Sequence, residues 1–182
     1  MAYSDADSDG RSDERTGQSW GGDPLSIAYD TATRTATVTD RRGESWTTVH
    51  DAAGHATRRT DPSGASWDTT YDDESLITEE RSPLGRVVAT TFDTTGDRRG
   101  RGDALTVIVT ADSRGANGSS PSQSTQYEYH SRTHRPVRIT DPRGTVTEIE
   151  RAASGRPERI TRAAGLPEQA IIQITWDDFG RQ

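Results

Sequence analysis

The sequence predicts an all-β fold, a repetitive antiparallel β-meander built from two-strand units of about twenty-one residues. Three observations predict it. Glycines recur at Gly22, Gly43, Gly64 and Gly85. Seven residues after each stands a ring: Tyr29, His50, Tyr71 and Phe92. Each ring is followed by an aspartate: Asp30, Asp51, Asp72 and Asp93. A fixed period of this length is the mark of a repeat architecture.

Composition limits what the chain can build. Leu, Ile, Val and Phe supply 24 of 182 residues, well below the share of about 20% at which folded domains give way to disorder. The net charge of −7 is too small for self-repulsion to keep the chain open. Thr, Tyr and Trp recur with the period, and such residues suit a pleated, half-buried surface. A thin-cored extended β structure is expected, preceded by a polar, acidic, disordered segment over residues 1–21. Cysteine is absent, so no disulfide braces the fold. All 22 basic residues are Arg, which points to a GC-rich, bacterial coding sequence. The acidic balance argues against nucleic acid as a partner. No apolar run is long enough for a membrane helix, and the acidic start is no signal peptide.

Within each unit the outgoing strand alternates. Leu25, Ile27 and Tyr29 share one face, as do Trp46, Thr48 and His50, then Trp67, Thr69 and Tyr71, then Val88, Thr90 and Phe92. Alternation puts these in one apolar row that packs inside the sheet, with Thr47, Asp68 and Ala89 turned to water. The returning strands are read at Thr35–Thr39, Ala56–Thr60 and Ile77–Arg81. Arg59 and Glu80 fall within reach of one another there. The turns are Asp51-Ala52-Ala53-Gly54, Asp61-Pro62-Ser63-Gly64 and Asp141-Pro142-Arg143-Gly144, in which Pro, where present, presets its own negative φ and Gly supplies the positive φ that closes the turn. A loop-rich insertion over about residues 97–126 interrupts the period, with a strand, Ala104–Thr110, inside it. The beat then resumes, and the words from Trp176 to Gln182 open a repeat that is cut short.

These words resemble the RHS/YD-repeat family. The first word, Tyr-Asp-x-x-Gly-Arg, reads here as Trp176-Asp177-Asp178-Phe179-Gly180-Arg181, and in part as His50–His55 and Phe92–Asp97. The second, Asp-Pro-x-Gly, stands at Asp61–Gly64 and Asp141–Gly144. The similarity covers about residues 22–182 outside the insertion. His50 replaces the Tyr, His130 the Asp after Tyr129, and Glu150-Arg151 the whole pair. The resemblance implies a spiralling β-sheet shell, as in bacterial polymorphic toxins, insecticidal toxin complexes and teneurin-like adhesion ectodomains. It implies a secreted or cell-surface wall segment whose partners are the remaining repeats of a longer polypeptide and an enclosed C-terminal toxin. It implies no enzyme activity and no cofactor. The family's self-cleaving Asp-Pro-x-Gly-Leu word is missing, because Ala65 and Thr145 follow the two glycines. The alternative function is a surface adhesion module that binds carbohydrate.

Candidate chemistry is sparse. Asp5, Asp7, Asp9 and Asp13 surround Gly10 with the alternate carboxylates of a calcium loop. Thr16 stands where an EF-hand needs Glu, and the same residues also read as a swollen Tyr-Asp turn or an acidic tail. His50, His55, His130 and His134 read as solvated turn residues rather than metal ligands. Asp72-Asp73-Glu74 reads as a turn rather than an acid pair for glycoside hydrolysis. Asn117-Gly118-Ser119 matches a glycosylation acceptor, which a bacterial origin leaves unused. Trp46, Trp67 and Tyr71 can stack on sugars, but packing within the sheet is the expected role.

Overall fold

The computed structural model describes residues 2–4, 14–20, 23–94, 101–112, 121–177 and 180–181, with side chains from Leu25 onward. It is all-β, and every described strand pairing is antiparallel between neighbours in sequence. The chain divides into two compact units, Met1–Gly85 and Arg86–Gln182. The first holds β1 (Ala2–Ser4), β2 (Glu14–Trp20), β3 (Asp23–Asp30), β4 (Thr35–Thr39), β5 (Ser45–His50), β6 (Ala56–Thr60), β7 (Ser66–Tyr71) and β8 (Ile77–Arg81). The second holds β9 (Val87–Phe92), β10 (Ala104–Thr110), β11 (Gln123–Tyr129), β12 (Pro136–Thr140), β13 (Val146–Arg151), β14 (Pro157–Arg162) and β15 (Ala170–Gln173).

The three returning strands and the strand inside the insertion fall where the sequence placed them. The stretches at 95–100 and 113–120 lie outside the described residues. Pairing starts earlier than Gly22, because β2 pairs with β3 from Gly17 opposite Ser26 to Trp20 opposite Asp23. The Gln18 and Trp20 alternation that carries this strand is short and sits in a polar stretch, so the disordered reading of residues 1–21 passed over it.

The sheet of each unit is a single layer. Among the described residues only Gly155, Thr161 and Ala163 are buried, the last two each 8% exposed. The expected burial of the apolar row therefore fails. Trp46 is 38% and Trp67 44% exposed, while Thr47 and Asp68 on the opposite face are half-buried. Neither face is sheltered by a second layer, so alternation sorts the side chains without burying them.

With so little apolar burial, the turns carry much of the order. One turn serves both words. In Asp61–Ala65 the Asp61 carboxylate accepts the amides of Ser63 and Ala65 at 2.9 and 3.0 Å. The Asp61 amide donates to the Ala65 carbonyl at 2.9 Å, and the Gly64 amide to the Asp61 carbonyl at 2.9 Å. Asp51, in the other word, accepts from Ala53 and His55 in the same way. Asp40, Asp72 and Asp141 repeat the pattern. A carboxylate here replaces the missing backbone acceptor of a tight turn. The glycine is needed for its backbone alone. Gly64 has φ +87° and open space where a Cβ would stand, so only the dihedral excludes other residues. Ser75 holds the same place in its turn at φ 67°, a strained setting for a residue with a Cβ.

A second device recurs with the period. Among the described residues, a β-bulge follows the Tyr-Asp-type turns that begin at His50, Tyr71, Phe92, Tyr129 and Arg151. Val49 faces Arg58 while His50 faces Ala56, leaving Thr57 extra. Thr78, Leu105, Val137 and Glu158 are the extra residues of the later repeats. The bulged threonines are tied down, since Thr57 Oγ1 donates to the Val49 carbonyl and Thr78 Oγ1 to the Thr70 carbonyl, each at 3.3 Å. Bulges bend a strand and increase its local twist.

The turn at Ala152–Arg156 keeps the backbone bonds, with Ala152 N to Arg156 O at 2.9 Å and Gly155 N to Ala152 O at 2.8 Å, but has no carboxylate. Ala152→Asp should restore two acceptor contacts and raise stability by about 1 kcal/mol, read as a higher urea midpoint; an unchanged or lower midpoint counts against the turn model. The carboxyls also set an acid limit. Asp61 is held below its ordinary 3.8 chiefly by the Ser63 hydroxyl, against some burial, with help from the amides of Ala65, Ser63 and Gly64. Asp30 is lowered first by the Thr33 hydroxyl and then by the Ala32 amide. In Asp51 burial is the largest influence and pushes upward, but the bonds from the His55 amide and ring and the Ala53 amide together outweigh it. A carboxyl with a lowered folded pKa stabilises the fold above its unfolded value and loses that contribution as the pH falls through the folded value. Stability should therefore hold above about pH 4 and decline below it, followed by circular dichroism in an acid titration.

Candidate functional site

The bulges create the feature on which neighbouring repeats join. The β6–β7 ladder ends at Arg58 opposite Asp68, two residues short of the start of β6 at Ala56. Tyr71 reaches across that gap, and its hydroxyl donates to the Ala56 carbonyl at 3.3 Å. The same contact recurs with other chemistry. Tyr129 Oη donates to the Ala104 carbonyl at 2.9 Å. Arg151 Nε donates to the Pro136 carbonyl at 3.0 Å. Trp176 Nε1 donates to the Pro157 carbonyl at 2.8 Å. In each case the acceptor is the first residue of a returning strand and the donor comes from the ring position of the next repeat. Just before β4, a strand without a bulge, the His50 backbone amide bonds the Arg34 carbonyl at 2.9 Å, with its ring Nδ1 at 3.3 Å from the same oxygen.

The joint is reinforced from the turn before it. His55 stacks on Tyr71 with ring centroids 4.6 Å apart, and Arg156 lies over the Trp176 ring at 5.5 Å. Both occupy the Arg place of the first word. Such contacts contribute about 0.5–1.5 kcal/mol beyond area burial. Tyr129 is half-buried, and burial, aided by the charge of Asp103, pushes its hydroxyl above the ordinary 10.0. It thus stays a neutral donor across the physiological range.

The histidines take structural parts that the sequence reading did not assign. His55 Nδ1 pairs with Asp51 Oδ2 at 2.9 Å. His134 Nδ1 meets Asp103 Oδ2 at 3.0 Å, with side chains only 19% and 18% exposed. His130, standing in for the turn aspartate, accepts the amides of Arg132 and Thr133 on Nδ1 at 3.1 and 3.3 Å. Imidazole nitrogen serves as the acceptor in place of carboxylate, in a turn one residue longer. The solvated reading of these turn residues is corrected accordingly for His55 and His134, since their partners lie far off in the sequence or fold back within the turn. Asp72 of the Asp72-Asp73-Glu74 trio is engaged by the Glu74 and Leu76 amides as a turn acceptor. Asp5, Asp7, Asp9 and Asp13 lie outside the described residues, as does Asn117-Gly118-Ser119. Among the described residues no three His, Asp or Glu side chains converge as a metal set.

One concavity stands out in the first unit. Trp46, Trp67, Thr48, Thr69, Arg59 and Glu80 line a groove of about 660 Å³ on the face of β5, β6, β7 and β8. Arg59 sits directly opposite both Thr48 and Trp67, and Glu80 opposite Thr69. Arg59 and Glu80, expected to pair, share the groove without an ion pair between them. On the other face Arg58 and Asp68, directly opposite each other, do pair.

Residues 50–87 match the family model RHS Repeat. The resemblance read from the turn words is supported over this stretch, which contains β6, β7 and β8. A solved structure titled "Crystal Structure of TcdB2-TccC3-TEV" is similar at 16% identity and a TM-score of 0.39, over 81% of this chain and 9% of that one. The chain spans less than a tenth of the length of that chain. No curated protein matches the sequence.

Tyr129→Phe should remove the donor to Ala104 and lower stability by about 1 kcal/mol, with Tyr71→Phe, whose bond is longer, costing less. Urea unfolding of the two variants measures this; equal stability of Tyr129→Phe and the parent would mean that the ring joins repeats by packing alone.

Proposed function

We propose that this chain is a structural wall segment of an RHS-type repeat shell, and that the shell encloses or presents a toxin domain carried by the same longer polypeptide. The observation that carries the reading is the repeat joint. In four repeats a side-chain donor closes the first carbonyl of the preceding returning strand, at Ala56, Ala104, Pro136 and Pro157. Such a joint lengthens a sheet one unit at a time, which is what a wall requires. The RHS Repeat match over residues 50–87 supports the same reading. Its partners are further repeats and the enclosed domain, and its place is outside the producing cell. The role proposed is mechanical, with no catalytic step.

Repeat proteins draw stability from neighbour interfaces, so a wall segment gains from added repeats. Purification of the natural polypeptide and electron cryo-microscopy test the proposal. A continuous sheet wall around density for a separate domain is expected. An open array with no enclosed density, from a polypeptide carrying no further domain, would overturn it.

A further inference from the structure

We infer that the guanidinium pair Arg135 and Arg151, at a joint between repeats of the second unit, binds a phosphate group. The site lies at the turn edge of the sheet, and it does not depend on the wall role. At two other joints the Arg place of the first word meets a ring: His55 stacks on Tyr71, and Arg156 lies over Trp176. Arg135 holds that place in its own turn, where its carbonyl accepts the His130 amide as the Arg156 carbonyl accepts the Ala152 amide. It meets a second cation, because the joint donor of the next repeat is Arg151. Both side chains reach one oxygen. Arg135 Nη1 donates to the Gly155 carbonyl at 3.4 Å and Arg151 Nη1 at 3.1 Å. An aromatic face attracts a guanidinium, whereas a second guanidinium repels it. Burial, and then the charge of Arg135, hold Arg151 below its ordinary pKa. Among the described residues no carboxylate pairs with either arginine.

A phosphate supplies what the pair lacks. Its oxygens accept from two guanidiniums at once, and its charge of about −2 offsets both. The donors are there. Arg151 commits Nε to the Pro136 carbonyl and Nη1 to Gly155, while Arg135 commits Nη1 alone, at the longer distance. The remaining guanidinium N–H groups are left for a ligand. Arg135 is exposed, so the pair opens to solvent on its side. A third polar group waits beside the same glycine. Thr133 Oγ1 is shut off from solvent and has no hydrogen-bond partner, and the Thr133 methyl comes within 3.3 Å of where a Gly155 Cβ would stand. Native structures rarely leave such a hydroxyl unpaired, and a phosphate oxygen beside Gly155 would give it an acceptor. A metal cation is repelled by the two charges, and a single carboxylate neutralises only one of them.

Inorganic phosphate, glycerol phosphate and acetate titrated into the 182-residue chain, at an ionic strength held constant with sodium chloride, test the inference by calorimetry and thermal melting. Inorganic phosphate or its monoester should bind saturably with a Kd of about 1 mM and raise the melting temperature, and acetate should do neither. Tighter binding of inorganic phosphate marks a free ion as the ligand, and tighter binding of glycerol phosphate marks a phosphate carried on a larger molecule; both support the site. Arg135→Gln should weaken binding about tenfold. Arg135→Lys, which keeps the charge and loses the planar fork, should fall between it and the parent. Arg143→Gln, at an exposed turn position of the same unit, should bind as the parent does. Circular dichroism confirms that each variant is folded, and Arg135→Lys decides the matter if Arg135→Gln is not. Saturable binding of neither phosphate overturns the inference, as does binding indifferent to Arg135. Acetate that matches phosphate in heat and melting shift overturns it as well.

Discussion

A carboxylate that accepts two backbone amides is the contact on which this structure rests. A one-layer sheet has almost no interior, so the entropy of ordering its chain cannot be offset by apolar burial alone. Backbone hydrogen bonds then have to be complete, and tight turns are where they run short of acceptors. Asp40, Asp51, Asp61, Asp72 and Asp141 each supply the missing acceptor from the first residue of the turn. Strand register follows, because a turn of fixed length sets which residues face each other. The bulges and joints are built outward from those turns.

The joint explains how so lightly packed a sheet propagates. At a bulge the returning strand starts with a carbonyl that its next neighbour's ladder does not reach. At four of these starts a donor at the ring position fills that vacancy from the following repeat, whereas Phe92 carries no donor. The contact is local, and it ties each repeat only to the one before it. Insertions between repeats are then harmless to the pattern. The long stretch between Phe92 and Tyr129 leaves Tyr129 still bonded to the first residue of its preceding strand, Ala104.

Strand placement was legible in the sequence because it rests on local rules. Thr35–Thr39, Ala56–Thr60, Ile77–Arg81 and Ala104–Thr110 lie between turn words with fixed chemistry. Side-chain burial was not legible, since alternation identifies two faces without saying whether anything covers either one. Trp46 and Trp67 carry the same letters whether packed or open. The joint was missed for another reason. Tyr71 looked like a packing residue, and its acceptor is a backbone carbonyl fifteen residues back, which no side-chain pattern marks. The signal lay in the substitutes: Arg151 and Trp176 share with Tyr a donor group at the end of a long or flat side chain. β2 was missed because its sequence is as polar as the stretch around it.

That interchange of donors has a consequence for how such chains drift over evolutionary time. Phenol, guanidinium and indole all satisfy the same carbonyl, and imidazole or plain backbone can hold the turn where aspartate is lost. Selection on geometry therefore leaves the spelling loose. A repeat that has exchanged both its letters, which the joint and turn bonds place at Arg151 and Ala152 rather than at Glu150 and Arg151, keeps its place in the sheet while becoming invisible to a search for Tyr-Asp. Arrays of this kind are longer in space than their readable motifs, and counting the motifs undercounts the architecture.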